Sequence, residues 1–353
     1  MKAARWYGRK DVRVEEVPEP SSGKGEVKIK VEWCGICGTD LHEYEAGPIF
    51  IPTSPHPITG KTPPVTLGHE FSGTIVEIGD GVSGWKKGDR VTADACIVCG
   101  ECYSCKHGMY HLCEKLGFNG LALDGGFAEY VVVPAYQLYK LDERMSFEEG
   151  ALIEPISVGV HAVRGRLKEG DTAAVIGAGT IGLVTLQAAK AAGATKIYVL
   201  EIAEKRKEFA KQFGADAVID PTKEDAIEAI KKLNGGIGVD VAFECVGKET
   251  TLTEAIQVTH KGGRIVVAGI FAGPFSGNIP YNDISVGERE VVGSIAYNRG
   301  EFQYSIDFVA DGRIKAKELV TKKISLNEIV DGGFEELLEH RDKHVKILVT
   351  PKK

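Results

Sequence analysis

Apolar and polar residues alternate through EVKIKVEWCG (26–35). They do so again through FSGTIVEIGDGVSGWKKGDRVTAD (71–94), where Gly and Asp break the alternation. Period two over short runs bounded by turn residues predicts strands with one buried face, so the first 150 or so residues are read as mostly β. Residues 47–64 are rich in Pro, Thr and Gly, show no period, and read as a long surface loop of the kind often used as a lid or binding loop. Near Asp171 the pattern changes. DTAAVIGAG is a buried-strand run, TIGLVTLQAAKAAGA a helix pattern, KIYVLE a strand and AEKRKEFAKQFGA a helix; AVID, DAIEAIKKL, VDVAFECVG, TLTEAIQVT and GRIVVAGI continue the alternation. This βαβα order predicts an α/β fold with a parallel, doubly wound sheet. After about Ala296 the rhythm stops, and FQYSIDFVADGRI, IVDGGFEELLEH and VKILVTP read as helices and a closing strand that return to the first unit. The expected division is 1–154, 155–296 and 297–353, with no internal repeat and no low-complexity segment.

The 353 residues exceed what one core usually serves, in keeping with two domains. A hydrophobic content of 43% with 26% charged residues fits a soluble globular protein. The start, MKAARWYGRKDVRVEE, lacks the apolar segment of a secretory signal, and no apolar run approaches the roughly 20 residues that span a bilayer. A net charge of −7 argues against a nucleic-acid partner, which needs a basic face. Eight cysteines in such a chain read as metal ligands rather than disulfides, and a cytoplasmic enzyme is expected.

Four of them, Cys99, Cys102, Cys105 and Cys113, stand in CGECYSCKHGMYHLC. The spacing C-x2-C-x2-C-x7-C suits a closed tetrahedron around Zn²⁺, which is a structural rather than catalytic site. Cys96 adds a fifth cysteine, but the run has neither the x3 step nor the proline of a ferredoxin cluster. Cys96 is left as a free thiol or as an exchange partner for one of the four. His107 and His111, inside the lobe, are expected to be exposed.

Gly177, Gly179 and Gly182 form G-x-G-x-x-G between a predicted strand and a predicted helix, with Thr180 and Ile181 opening the helix. In that context the motif predicts a dinucleotide site: a tight turn, a close backbone approach to pyrophosphate, and a helix N-terminus facing the phosphates. Glu201 ends the next strand, 19 residues after Gly182. A carboxylate there accepts hydrogen bonds from the ribose hydroxyls of NAD and repels the extra phosphate of NADP. Arg206 lies close by, where a cofactor contact competes with an i,i+4 surface role.

The segments GICGTDLHEYEAG, TLGHEFSGTIVEIGDGVSGWKKGDRV, the four-cysteine lobe, EPISVGVHAV and VIGAGTIGL, in that order, resemble the zinc-containing medium-chain dehydrogenase family along nearly the whole chain. The resemblance implies a GroES-like, mostly β catalytic domain beside a Rossmann domain, two Zn²⁺ per subunit, and NAD. It places Cys37 and His69 as ligands of a catalytic zinc, with Glu70 or Glu154 as the third. Thr39 would bond the substrate oxygen and pass its proton outward, His42 would end that relay at solvent, and Asp40 would orient His69 from behind. The competing readings are a redox pair at Cys34 and Cys37, a surface role for His42, and a ligand role for His161, which is expected instead to pack in its helix.

Cys37 and His69 stand 32 positions apart. The intervening IFIPTSPHPITGKTPPVTLGHE and the later AYNRGEF resemble the family members that act on 2,3-butanediol and acetoin. The expected substrates are therefore a small vicinal diol and its hydroxyketone. Sorbitol or another polyol is the alternative, with Arg299 as an added hydrogen-bonding group; a cofactor-binding protein without catalysis is the other, and it would lack the zinc ligands. By the same resemblance the chain forms a homodimer or homotetramer, pairing through the strand after Gly263 and VVGSIA.

Overall fold

The computed structural model describes residues 1–271, 277 and 279–352. It divides into two units, one of Met1–Glu154, Asn298–Ala310 and Ala316–Lys353, the other of Pro155–Tyr297 and Asp311–Lys315.

In the first unit the strand Glu26–Gly35 is the hub. It pairs antiparallel with Glu70–Ile78, Tyr130–Pro134 and Lys346–Thr350 within a seven-stranded sheet. Its alternation turns Val27, Ile29 and Val31 into a core that also holds Trp6, Phe71, Ile75, Phe127 and Ile347. Each such large apolar side chain contributes roughly 1.5–3 kcal/mol by leaving water. Strand register decides what meets at the end of this sheet. Glu70 lies opposite Gly35, and Gly35 lies opposite Leu348. Cys37, Glu70 and Lys346, distant in sequence, are thereby drawn together.

Two details depart from the sequence reading. Residues 47–64 hold no helix or strand, yet the segment is anchored: the buried Glu43 carboxylate accepts the backbone N–H groups of Ile49, Phe50 and Ile51, and Ile51 and His56 are buried. The helix expected in IVDGGFEELLEH is a π-helix over Ile329–Glu335, followed by one α-turn at Glu336–Glu339. Gly333 there packs so closely on Ile36 that a side chain would push it away, and Phe334 fills the core beside Tyr44 and Phe127.

The second unit contains a parallel six-stranded sheet in the order Ala217–Ile219, Lys196–Leu200, Thr172–Ile176, Val239–Glu244, Thr259–Val267, Glu290–Gly293. Helices Thr180–Ala191, Glu204–Gln212, Ala226–Leu233 and Glu249–Val258 make the crossovers. The strand order reverses at Thr172–Ile176, and a ligand crevice forms beyond the carboxyl end of such a strand. The Gly-rich turn begins there.

Candidate metal centres and nucleotide site

The four lobe thiols lie within 4.8 Å of one another. Cys99 Sγ is 3.5 Å from Cys113 Sγ and 4.0 Å from Cys105 Sγ. A tetrahedron with Zn–S bonds of about 2.3 Å has edges of about 3.8 Å, so the cluster has the size of a Zn²⁺ site. Backbone N–H groups of Cys105 and Glu114 stabilise the Cys102 thiolate, drawing its pKa down to about 6; those of Glu101 and Cys102 lower that of Cys99. Cys96 stands outside the cluster, in the strand Cys96–Ile97, where burial pushes its thiol up and keeps it protonated. His107 is exposed, but His111 is not. It is buried in the short turn Tyr110–Leu112, with Nδ1 2.9 Å from Asn298 Oδ1, because the chain that returns at Asn298 covers it.

A second cluster gathers Cys37, His69 and Glu70, whose donor atoms also lie within 4.8 Å of one another. Cys37 caps the helix Gly38–Ala46, and its backbone N–H donates to Asp40 Oδ2 at 2.9 Å. The other Asp40 oxygen faces His69 Nδ1 at 3.8 Å, and among the described residues neither atom has a hydrogen-bond partner. Burial opposes protonation of His69, but the buried Asp40 carboxylate and the Cys37 sulfur outweigh it and hold the ring well above the usual histidine range. A thiol, an imidazole and a carboxylate gathered this closely form a donor set that fits Zn²⁺. Glu154, in the first turn of Ile153–Val163, stands outside the three-donor cluster, yet its charge favours the cationic forms of His69 and Lys346.

Thr39 Oγ1 is 3.7 Å from Cys37 Sγ. His42 lies three residues further on, one turn along the same helix face. It is half-buried, and its pKa is lowered by burial and then by the positive charge of Arg341. Cys34 faces the core from the Glu26–Gly35 strand, and burial raises its thiol well above the ordinary value. His161 is buried in Ile153–Val163.

In the second unit, Gly177 has φ +90°, a left-handed conformation that glycine adopts without strain, and a Cβ on Gly182 would strike the Gly177 carbonyl. A Cβ on Gly179 would enter open space, with Arg206 Nη1 the nearest atom at 4.0 Å. Arg206 therefore lies over the turn rather than on a remote face. Gly179 caps Thr180–Ala191 with no side-chain hydrogen bond. A helix N-terminus at a Gly-rich turn suits the phosphates of a dinucleotide. Glu201 is buried, and its carboxylate accepts from the backbone N–H groups of Ala178 (2.7 Å), Ile202 (2.8 Å) and Ala203 (2.9 Å). A carboxylate offers about four acceptor positions, so one remains for a ribose hydroxyl.

Both units match family descriptions: "Alcohol dehydrogenase GroES-like domain" over residues 23–143 and "Zinc-binding dehydrogenase" over residues 180–311. An (R,R)-butanediol dehydrogenase of Bacillus subtilis (strain 168) is 47% identical over 99% of this chain and 100% of its own length. The chain belongs to the zinc-binding alcohol dehydrogenase family. A crystal structure of 2R,3R-butanediol dehydrogenase from Bacillus subtilis superposes with a TM-score of 0.92 at 46% identity, covering 99% of each chain. A sorbitol dehydrogenase of the same strain is 36% identical over 99% of this chain and 97% of its own length. The GroES-like and Rossmann architecture read from the sequence is that of the family. Among the described residues no helix is long and apolar enough to cross a membrane.

What sequence reasoning missed is Lys346. It is buried and donates to both oxygens of Glu70, at 2.7 and 2.6 Å, and to the carbonyl of Ile36 at 2.9 Å. A lysine in VKILVTP gives no signal of this, because only strand register brings it to Glu70.

Proposed function

We propose that the protein oxidises (R,R)-2,3-butanediol to acetoin, and reduces acetoin in reverse, with NAD(H) as hydride carrier and zinc as Lewis acid. The observation that carries this is the Cys37, His69 and Glu70 cluster. It offers no more donors than an open, catalytic zinc site needs, in a chain that shares its full length with butanediol dehydrogenases. When bound, Zn²⁺ supplies positive charge at the carbinol oxygen and NAD accepts the hydride from the carbinol carbon. Cys37 and His69 hold the metal, with Glu70 or Glu154 as third donor. Thr39 accepts the hydroxyl proton and passes it outward, and His42, poised by burial and Arg341 to give up a proton, releases it to water. Cys99, Cys102, Cys105 and Cys113 hold the second zinc in a structural role. Gly177, Gly179, Thr180, Ile181 and Gly182 receive the pyrophosphate, and Arg206 adds a positive charge over it.

The test is turnover with the separate stereoisomers of 2,3-butanediol beside sorbitol. The (R,R) isomer is expected to exceed the (S,S) isomer and sorbitol in kcat/KM by about tenfold or more, the effect of one misplaced methyl group in an apolar pocket. Preference for sorbitol would keep the zinc chemistry and overturn the substrate. Glu201→Ala is expected to lower kcat/KM for NAD by about tenfold and to narrow its advantage over NADP, as one buried charge-assisted hydrogen bond would. An unchanged cofactor ratio would place the ribose contact elsewhere.

The protein works in the cytoplasm as a homodimer or homotetramer. None of its eight cysteines is paired in a disulfide, as in a reducing compartment. The strand Glu290–Gly293 ends its sheet with Val291 and nearby Ile295 exposed, and an apolar edge strand of this kind invites pairing with a second copy.

A further inference from the structure

Glu43 is a fully buried carboxylate outside both metal clusters. It stands on the helix Gly38–Ala46, next to His42 and one turn beyond Thr39. Trp6 Nε1 donates to its backbone carbonyl at 2.9 Å, which ties this end of the helix to the core of the first unit. Its carboxylate accepts three consecutive amides, those of Ile49 (3.0 Å), Phe50 and Ile51 (3.2 Å). Hydrogen bonds to a buried charge are strong, and loss of that charge leaves the donors poorly paired. The loop is thereby fixed to the helix that carries Thr39 and His42.

The run held in this way, GPIFIP (47–52), has no charged and no hydrogen-bonding side chain. Ile51 is buried, yet Ile49 is 50% and Phe50 40% exposed. Two large apolar side chains held outward on a fixed backbone form a surface suited to an apolar partner. 2,3-Butanediol carries a methyl group on each carbinol carbon, which such a surface accepts. A polyol carries hydroxyl-bearing carbons there, and those hydroxyls would lose water and find no partner.

We propose that Glu43 is a positioning residue: by holding Ile49, Phe50 and Ile51 it preforms an apolar wall that receives a methyl group of the diol and turns polyols away. This deepens the butanediol reading and rests on it. A wall already in place spares the substrate the cost of ordering the loop, so its loss shows chiefly in KM.

Hydrogen exchange and kinetics on the zinc-loaded protein test this together. In the wild type, the amides of Ile49, Phe50 and Ile51 are expected to exchange at least about a hundredfold more slowly than those of the exposed Thr53 and Ser54. Glu43→Gln keeps the shape and removes the charge. It is expected to free the three amides and to raise KM for (R,R)-2,3-butanediol about tenfold, with kcat within about threefold. The kcat/KM ratio of the diol to sorbitol is expected to fall about tenfold. Phe50→Ala is expected to lower that ratio to a similar degree, and the double variant no further, because both changes remove one wall. Freed amides with KM and ratio unchanged overturn the proposal. So do a lower melting temperature with those values unchanged, a ratio unchanged in Phe50→Ala, and additive effects in the double variant. Should Glu43→Gln fail to fold, wild-type exchange and Phe50→Ala decide: protected amides with a lowered ratio support the proposal, and failure of either overturns it. A wild type that prefers sorbitol overturns the substrate reading itself. A wild type that prefers the diol, with variants that keep the ratio, overturns only the role of Glu43.

Discussion

Cys37→Ser is expected to lower kcat/KM for the diol by about a thousandfold or more and to reduce bound zinc from two ions per chain toward one. A Lewis-acid metal contributes several kcal/mol at the developing oxyanion, and about 4 kcal/mol corresponds to a factor near 10³. A serine hydroxyl stays protonated where a thiolate binds zinc, so the site loses both a donor and a negative charge. The substitution separates chemistry from folding cleanly. Cys37 occupies the N-cap of Gly38–Ala46, and serine is among the favoured N-cap residues, so the helix keeps its start. Metal analysis, steady-state kinetics and thermal unfolding on one preparation check all three points. Normal turnover with full metal content would remove Cys37 from the site.

Cys102→Ser is expected to do the reverse. The melting temperature should fall by about 10 °C or more, while kcat per folded molecule stays within about threefold of wild type. Structural zinc in small fingers contributes roughly 10–16 kcal/mol to folding. Even a third of that is a large share of the 5–15 kcal/mol, roughly, by which native proteins are stable. Cys102 is the lobe thiol whose anion the backbone favours most visibly, through the N–H groups of Cys105 and Glu114. Serine there leaves those donors aimed at a neutral oxygen and opens the tetrahedron. Thermal unfolding with and without added zinc measures the effect. A melting temperature equal to that of wild type would mean that the lobe holds no structural metal.

The features written locally in the chain were legible in it. The Gly-rich turn, the alternating strands of the first 150 residues and the βαβα rhythm after Asp171 each depend on neighbours a few residues away, and the fold class followed from them. The lobe cysteines are likewise a short-range pattern, and their thiols converge in the structure; Thr39 Oγ1 lies 3.7 Å from Cys37 Sγ. What was hidden depends on register and on chain that returns late. Lys346 meets Glu70 through strands adjoining at Gly35. His111 is buried because Asn298 arrives from the far end of the sequence. Glu43 carries no local signal of its role, yet it is buried and holds three amides of the following loop. The helix expected around Ile329–Glu335 is a π-helix, and Gly333 shows its purpose only against Ile36.

The most direct measurement is the rate of NADH formation from (R,R)-2,3-butanediol by purified protein, before metal removal, after it, and after zinc is restored. The account expects turnover that disappears with the catalytic zinc and returns with it. Turnover that persists in protein shown to be free of zinc would contradict it.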